Sequence, residues 1–419
     1  MEKLIRPSAI KGKIKVPSSK SVVQRAIAIA LLAKGSSVIS NVSFCNDVLN
    51  AVGIVRSLGA DVKVSDDTII VESCGFHNMK IEEGTVINCG ESALCFRMFS
   101  AIAAQFNKNI VITGEKTLLT RSAGMIEQSL KELGAACSTD NGFPPVIIKG
   151  PLIKKELLID ASSTSQFLTG LLIALSATGN ERKIIVRNLT SKPYIDVTVE
   201  LLKNAGVAVI NYNCSEFFIP ASKLSPFSIT AEGDWSGAAF PAVAGAICGS
   251  VELTGLDINS VQGDKAILKY FEKAGAKIST TGNSINISTG KLKCFEADCT
   301  DTPDLFPPLA ALAVHCEGTT IIHGANRLAN KESDRAAALI NEFRKLGIDI
   351  KISGNDMMIT GGKIKGGTVF SHNDHRIAMA LSVAALKSSS ETRLTSAECV
   401  NKSWPGFFEM LSSLGGKIS

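Results

Sequence analysis

Aromatic side chains are scarce: they make up 5% of 419 residues, with two tryptophans and three tyrosines. A surface that stacks nucleic-acid bases on rings therefore has little material. The net charge is only +5, with a pI near 8.5, so no strongly basic face is implied either. A pocket for multiply charged anions accounts for such a modest excess as well as a nucleic-acid patch does. Apolar runs are short, and none reaches the roughly 18 residues that a membrane span needs. Residues 1–20 alternate basic and apolar side chains without a signal-peptide core, and a cytosolic location is expected. The eleven cysteines contain no Cys-x-x-Cys pair, and an odd number cannot all be bridged. Free, mostly buried thiols in a reducing compartment are expected. The five histidines lie far apart and form no zinc-like ligand pattern, so no metal is expected. What the chain does have is 45% hydrophobic content, enough for two or three domains with real cores.

It also has an internal repeat. Six helix-like stretches end in Leu or Ala followed by glycine, at Gly59, Gly134, Gly206, Gly275, Gly347 and Gly415, spaced 75, 72, 69, 72 and 68 residues apart. Glycine suits that place because helices often close on a left-handed residue, which costs glycine nothing. A second helix recurs upstream in each unit, apolar nearly all round, as in 27–32, 168–175, 240–247, 309–314 and 377–386. Such helices are buried. Their starts fall near Ser21, Ser92, Ser165, Ser236, Leu305 and His375. Between the helices lie alternating strands such as 68–72, 183–187, 284–288 and 357–360. The pattern predicts an α+β chain of six modules, divided into two domains of three.

The residues able to do chemistry gather at the starts of these helices. A helix N-terminus presents unpaired N–H groups and the positive end of the dipole, which attract phosphate and carboxylate. The first such place is Ser18, Ser19, Lys20 and Ser21 with Arg25 one turn on. Others are Gly90, Glu91, Ser92 and Ala93 leading to Arg97, the polar loop 114–121 ending in Arg121, and Ser163, Thr164, Ser165 and Gln166. Residues 331–335 put a lysine, two carboxylates and an arginine into one turn, and Asn373, Asp374, His375 and Arg376 crowd against an apolar helix. Asp304 and Lys402 complete the set. Taken singly, each stretch is also an ordinary capped helix start with solvated charges.

Taken together and in this order, these stretches resemble the 5-enolpyruvylshikimate-3-phosphate synthase family over essentially the whole chain. The most specific parts are Lys20, Ser21 and Arg25; Ser165 and Gln166 followed by Phe167 and Leu168; Ser191, Lys192, Pro193 and Tyr194; and the stretches 331–335 and 373–376. The resemblance implies two domains, each of three βαβαββ units, forming the inside-out α/β barrels of the enolpyruvyl transferases. One domain would be discontinuous, 1–18 with 232–419, and the other would run from 19 to 231, with the active site in the cleft between them. It implies transfer of the enolpyruvyl group of phosphoenolpyruvate to the 5-hydroxyl of shikimate 3-phosphate, in chorismate and aromatic amino acid biosynthesis. Neither cofactor nor metal is implied, and the family suggests a monomer.

The resemblance also assigns residues. Asp304 would be the base near the shikimate hydroxyl, Lys331 its neighbour, and Glu332 the acid to carbon, with Lys20 also catalytic. Lys20, Ser21, Arg25, Thr164, Ser165, Gln166, Ser191, Tyr194, Asp304 and Lys331 would hold shikimate 3-phosphate. Lys20, Ala93, Arg121, Gln166, Arg335, His375, Arg376 and Lys402 would hold phosphoenolpyruvate. Four positions depart from the family pattern: Ala93 for the more frequent Gly, Glu91 for Asn, Ser122 for Pro and Thr164 for Ser. The Ala93 methyl narrows the site that glyphosate occupies in the family, so reduced glyphosate sensitivity is expected. Which of Asn326 and Asn330 would contact substrate stays open. The sister transferase acting on UDP-N-acetylglucosamine carries a reactive cysteine where this chain has Lys116 and lacks the 331–335 turn. RNA-phosphate cyclases lack the combination of 331–335 with 373–376. A non-enzymatic repeat ring would need no convergent acid, base and arginines.

Overall fold

The computed structural model describes residues 1–282 and 284–419. The chain divides into two compact units, Lys20–Ala231 and Met1–Ser19 with Glu232–Ser419. The continuous unit contains helices α1 (Lys20–Leu32), α2 (Asn46–Ser57), α3 (Ala93–Ala103), α4 (Gly124–Leu133), α5 (Gln166–Ser176) and α6 (Pro193–Asn204). The discontinuous unit contains α7 (Trp235–Cys248), α8 (Ile267–Ala274), α9 (Phe306–Ala313), α10 (Arg335–Lys345), α11 (His375–Ala385) and α12 (Phe407–Ser413).

Hydrophobicity around the whole circumference decides which helices go inside. In α5 every residue after Gln166 is buried, and α1, α3 and α5 pack on one another in the middle of their unit. The others, α2, α4 and α6, are apolar on one stripe and buried only there. In the discontinuous unit α7, α9 and α11 are the mutually packed inner helices. Each inner helix starts within a residue or two of the place its sequence marks.

Among the described residues six four-stranded sheets flank these helices, and all six share one order. In the sheet of strands Glu156–Asp160, Arg182–Arg187, Ile210–Tyr212 and Glu216–Ile219, the first two pair in parallel across α5, and the fourth lies antiparallel between the second and third. The parallel pair is a βαβ crossover, which needs a helix to return the chain. Strands such as Phe143–Lys149 alternate exposed and buried residues strictly, one face on the helices and one in water.

Two sheets of the discontinuous unit are completed by the start of the chain. Strand Ile10–Lys15 pairs in parallel with Gly249–Thr254, and Glu2–Arg6 lies between Thr392–Thr395 and Lys417–Ile418. The backbone crossing is pinned by Ser19 N–H to Glu232 O at 2.8 Å and Asp234 N–H to Pro17 O at 2.9 Å. All six repeat glycines adopt left-handed φ values, from 82° at Gly275 to 105° at Gly415. The eleven cysteines are free; six are buried, while Cys74 and Cys294 are exposed. Among the described residues no helix is long and apolar enough to cross a membrane, and no His, Cys, Asp and Glu group is placed to hold a metal.

One surface cluster gives a pH prediction. His323 stands on a strand between two others, with Nδ1 2.7 Å from Asp356 Oδ1 and Nε2 2.6 Å from Glu296 Oε1. Hydrogen bonding first to Asp356 and then to Glu296 raises its pKa above the ordinary histidine value. Because folding raises this pKa, the stabilisation is complete below the unfolded value and fades as pH rises through the folded one. His323→Gln should therefore lower the melting temperature at pH 6 and have little effect by about pH 9. An equal loss at both pH values would contradict this.

Candidate active site

In the continuous unit the charges sit at the first turns of the inner helices. Lys20 opens α1, and its Nζ lies 2.6 Å from Oδ2 of buried Asp47, at the start of α2. Arg25, one turn on, is wholly buried and fully engaged. Its Nε donates to Thr198 Oγ1 at 2.9 Å, Nη1 to Ser21 O at 2.8 Å, and Nη2 to Tyr194 O at 3.3 Å and Thr169 Oγ1 at 3.4 Å. One guanidinium thus joins α1, α5 and α6. Burial lowers its pKa to about 10, with Tyr194 acting in the opposite sense; arginine remains charged in proteins, so it is a fixed positive charge.

Ser165 is the residue before α5, and Thr164 Oγ1 accepts from Gln166 N–H at 3.2 Å. Gln166 Oε1 accepts from Arg97 Nη1 at 2.7 Å. Ser191 is buried with a left-handed φ of 56°, two residues before α6. Ala93 is the first residue of α3, 8% exposed, behind the cap Ser92. Ser92 Oγ donates to Gln24 Oε1 at 2.6 Å, so α1 and α3 share a buried amide at their first turns. Arg121 follows the short turn Lys116–Leu118, with Nε and Nη2 buried.

The discontinuous unit holds the denser cluster, and Arg335 is its centre. The side chain is 1% exposed and each nitrogen meets a different carboxylate: Nε to Asp374 Oδ2, Nη1 to Asp304 Oδ1 and Nη2 to Glu332 Oε2, all at 2.7 Å. Asp304 comes from the turn before α9, Glu332 from the loop before α10, and Asp374 caps α11 by accepting from Arg376 N–H at 2.9 Å. Arg376 Nη2 reaches Asp304 Oδ2 at 2.9 Å, and Lys402 Nζ lies 3.2 Å from Glu332 Oε1. His375 is buried beside Asp374, its Nδ1 3.8 Å from Oδ1. The helix starts do attract anions here, and the anions are the protein's own carboxylates.

Electrostatics follows from this geometry. Burial alone would push the Asp304 carboxyl up, but Arg376, Arg335 and Lys331 outweigh it and hold it well below the ordinary range. Burial would lower Arg335, yet Asp374, Glu332 and Asp304 drive it above its usual value. Lys331 moves the other way: burial lowers its ammonium to about 8, although Asp304 pulls it back up. The Glu332 carboxyl is 12% exposed, with Arg335 on one oxygen and Lys402 on the other.

Within each unit, then, the predicted residues do not scatter. Lys20, Ser21, Arg25, Thr164, Ser165, Gln166, Ser191 and Tyr194 occupy the first turns of α1, α5 and α6, and Asp304, Lys331, Glu332, Arg335, His375, Arg376 and Lys402 gather around α9 to α11. Asn326 and Asn330 are both exposed. Sequence reasoning missed Asp47, Gln24, Thr169 and Thr198. Asp47 carried one weak signal, an acidic residue in a first turn; the others look like ordinary core-helix polar residues.

Comparison with known proteins agrees with this picture. The profile of the family described as EPSP synthase (3-phosphoshikimate 1-carboxyvinyltransferase) matches residues 5–411. A 3-phosphoshikimate 1-carboxyvinyltransferase of Methanocorpusculum labreanum is 35% identical over 100% of this chain and 99% of its own length. One from Clostridium perfringens is 36% identical over 99% of this chain and 98% of its own. The solved EPSP synthase of Acinetobacter baumannii superposes with a TM-score of 0.83 at 27% identity, covering 100% of this chain and 99% of that one. With its length, its six repeats and its cation–carboxylate cluster all accounted for, the chain belongs to the EPSP synthase family.

Proposed function

We propose that the cluster centred on Arg335 carries out this family's reaction, in which the enolpyruvyl group of phosphoenolpyruvate passes to the 5-hydroxyl of shikimate 3-phosphate and phosphate is released. The observation that carries the reading is one guanidinium holding three carboxylates from three helix starts at 2.7 Å, with a second arginine and two lysines alongside. Acid, base and anion-binding cations are then joined in one contiguous network.

In the proposed sequence Asp304 accepts the 5-hydroxyl proton as that oxygen bonds to C2 of phosphoenolpyruvate, and Glu332 gives a proton to the methylene carbon. The tetrahedral intermediate keeps both phosphate and carboxylate. A proton then returns from the new methyl group to the Glu332 carboxylate as the C–O bond to phosphate breaks, and phosphate departs with the bonding electron pair. Arg335, Arg376 and Lys402, with Lys20, Arg121 and Gln166 from the continuous unit, are proposed to hold phosphoenolpyruvate. Ser21, Arg25, Thr164, Ser165, Ser191 and Tyr194 are proposed for shikimate 3-phosphate. Charge-assisted hydrogen bonds contribute about 1.5 to 3 kcal/mol each, so several cations together can offset desolvation of both anions where one cannot. Substrate anions that draw Arg335 and Arg376 towards themselves loosen both from Asp304 and raise its basicity. This supplies the base with proton affinity at the moment it is needed.

The test is phosphate release from phosphoenolpyruvate with and without shikimate 3-phosphate. Release that requires shikimate 3-phosphate is expected; release that requires UDP-N-acetylglucosamine instead would replace the reading with the sister reaction. We further propose a cytosolic monomer, which suits eleven free thiols. Ala93, at the first turn of α3, gives a second prediction. Ala93→Gly should become markedly more sensitive to glyphosate, because removing the methyl widens the pocket for the longer inhibitor. Equal inhibition of the two proteins would remove Ala93 from the site.

A further inference from the structure

We propose that Glu342 is a positioning residue for Arg376, holding the turn that aims this arginine although it touches no reacting group itself. The inference rests on the assignment of Arg376 to phosphoenolpyruvate made above.

Glu342 sits on α10 seven residues after Arg335, two turns along and on the same face. Its side chain is 1% exposed. A buried carboxylate is costly unless its oxygens are satisfied, and these are. Oε2 accepts from Phe370 N–H at 2.9 Å, Oε1 lies 2.8 Å from His372 Nε2, and Lys345 Nζ is 2.8 Å from both oxygens. Two of these contacts go to the segment that leads into α11. Arg335 grips the same segment further along, through Asp374.

The segment needs such anchoring. His372 and Asn373 have φ values of 54° and 55°, two consecutive non-glycine residues in the left-handed region. Each costs on the order of 1 kcal/mol, and such backbone persists only where its surroundings over-determine it. Ser371 Oγ donates to Ser396 O at 2.8 Å and accepts from Asn373 N–H at 3.1 Å, which fixes the middle of the turn. Glu342 fixes its entry and Asp374 its exit. Directly after the exit, Arg376 leaves α11 to meet Asp304. Loss of Glu342 frees the entry, lets the left-handed pair relax, and rotates the first turn of α11 with Arg376 on it.

The experiment compares wild type, Glu342→Ala, Glu342→Gln, Arg376→Lys and the double variant Glu342→Ala/Arg376→Lys by steady-state kinetics, with melting temperatures alongside. Glu342→Ala should raise KM for phosphoenolpyruvate by about 10- to 100-fold, the scale of a small misplacement of a binding group, and change KM for shikimate 3-phosphate far less. Glu342→Gln keeps an acceptor for Phe370 N–H and should restore part of the loss. Because Glu342 acts through Arg376, the double variant should be little worse than Arg376→Lys alone. Fully additive effects, or a lower melting temperature with both KM values unchanged, would make Glu342 merely structural and overturn the proposal. Should the Glu342 variants not fold, His372→Ala decides: it removes one anchor of the same turn, and an unchanged KM for phosphoenolpyruvate sinks the idea. A wild type that shows no shikimate 3-phosphate-dependent phosphate release would overturn the activity and this inference with it.

Discussion

Arg335→Met is expected to lose roughly three orders of magnitude in kcat/KM and about 3–5 kcal/mol of stability, the cost of leaving buried charges without their partner. Methionine fills the volume but leaves Asp304, Glu332 and Asp374 without their shared cation. Removing two charge-assisted hydrogen bonds to substrate, at about 1.5–3 kcal/mol each, corresponds to roughly 10²–10⁴ in kcat/KM. Arg335→Lys should fare almost as badly, since one compact ammonium nitrogen cannot span the three separate positions from which the planar guanidinium nitrogens each reach a different carboxylate. The stability loss has a pH signature. Folding depresses the Asp304 pKa, so the stabilisation it supplies is present above the unfolded carboxylate value and is lost as pH falls through that range towards the folded one. Denaturant unfolding should therefore show a wide gap between wild type and Arg335→Met at pH 8 that narrows towards about pH 3. Retention of activity within tenfold would mean that the cluster is not where substrate binds.

Asp304→Asn is expected to reduce kcat by about 10²–10⁴ while leaving KM for phosphoenolpyruvate near the wild-type value or below it. The amide keeps the shape of the carboxylate, but its single oxygen can accept from only one of the two arginines, which now sit on different oxygens, and it cannot take the hydroxyl proton. It also competes less strongly than a carboxylate for the two arginines, which favours the incoming substrate anions. Glu332→Gln should likewise lower kcat by about 10²–10⁴ through loss of the proton donor to carbon. Hydrogen exchange into the methylene group of phosphoenolpyruvate checks this role: it should vanish in Glu332→Gln, whose proton donor is missing. If Asp304→Asn keeps kcat within tenfold, another group removes the hydroxyl proton, with Lys331, lowered to about 8, the nearest candidate.

Much of the candidate site was legible in the chain itself. Ser21 and Arg25, Ser165 and Gln166, and the runs 331–335 and 373–376 each lie within one or two turns of a helix start, where chain neighbours alone set the geometry. Partners were not legible. Nothing near Arg25 points to Thr198, which is 173 residues away, and nothing near Lys20 marks Asp47 as its counter-ion. Glu342 resembles any acidic residue on an amphipathic helix, and only the fold shows its face covered by 370–374. The anions expected at the helix starts also include Asp304 and Asp374, because a buried guanidinium requires carboxylates whether or not substrate supplies them.

The amino-acid sequence by itself determined the six-fold repeat, the left-handed glycine that closes each outer helix, the inner helices and the roster of charged residues at their starts. These depend on interactions between residues a few positions apart: backbone sterics, capping and the period of hydrophobicity. Only the tertiary structure decided that three carboxylates share Arg335, that strands 2–6 and 10–15 complete sheets built from the far end of the chain, and that α10 holds the turn before Arg376. Those pairings join groups tens to hundreds of residues apart. Their distances are set by how whole helices and sheets pack, and neighbouring residues carry no record of that.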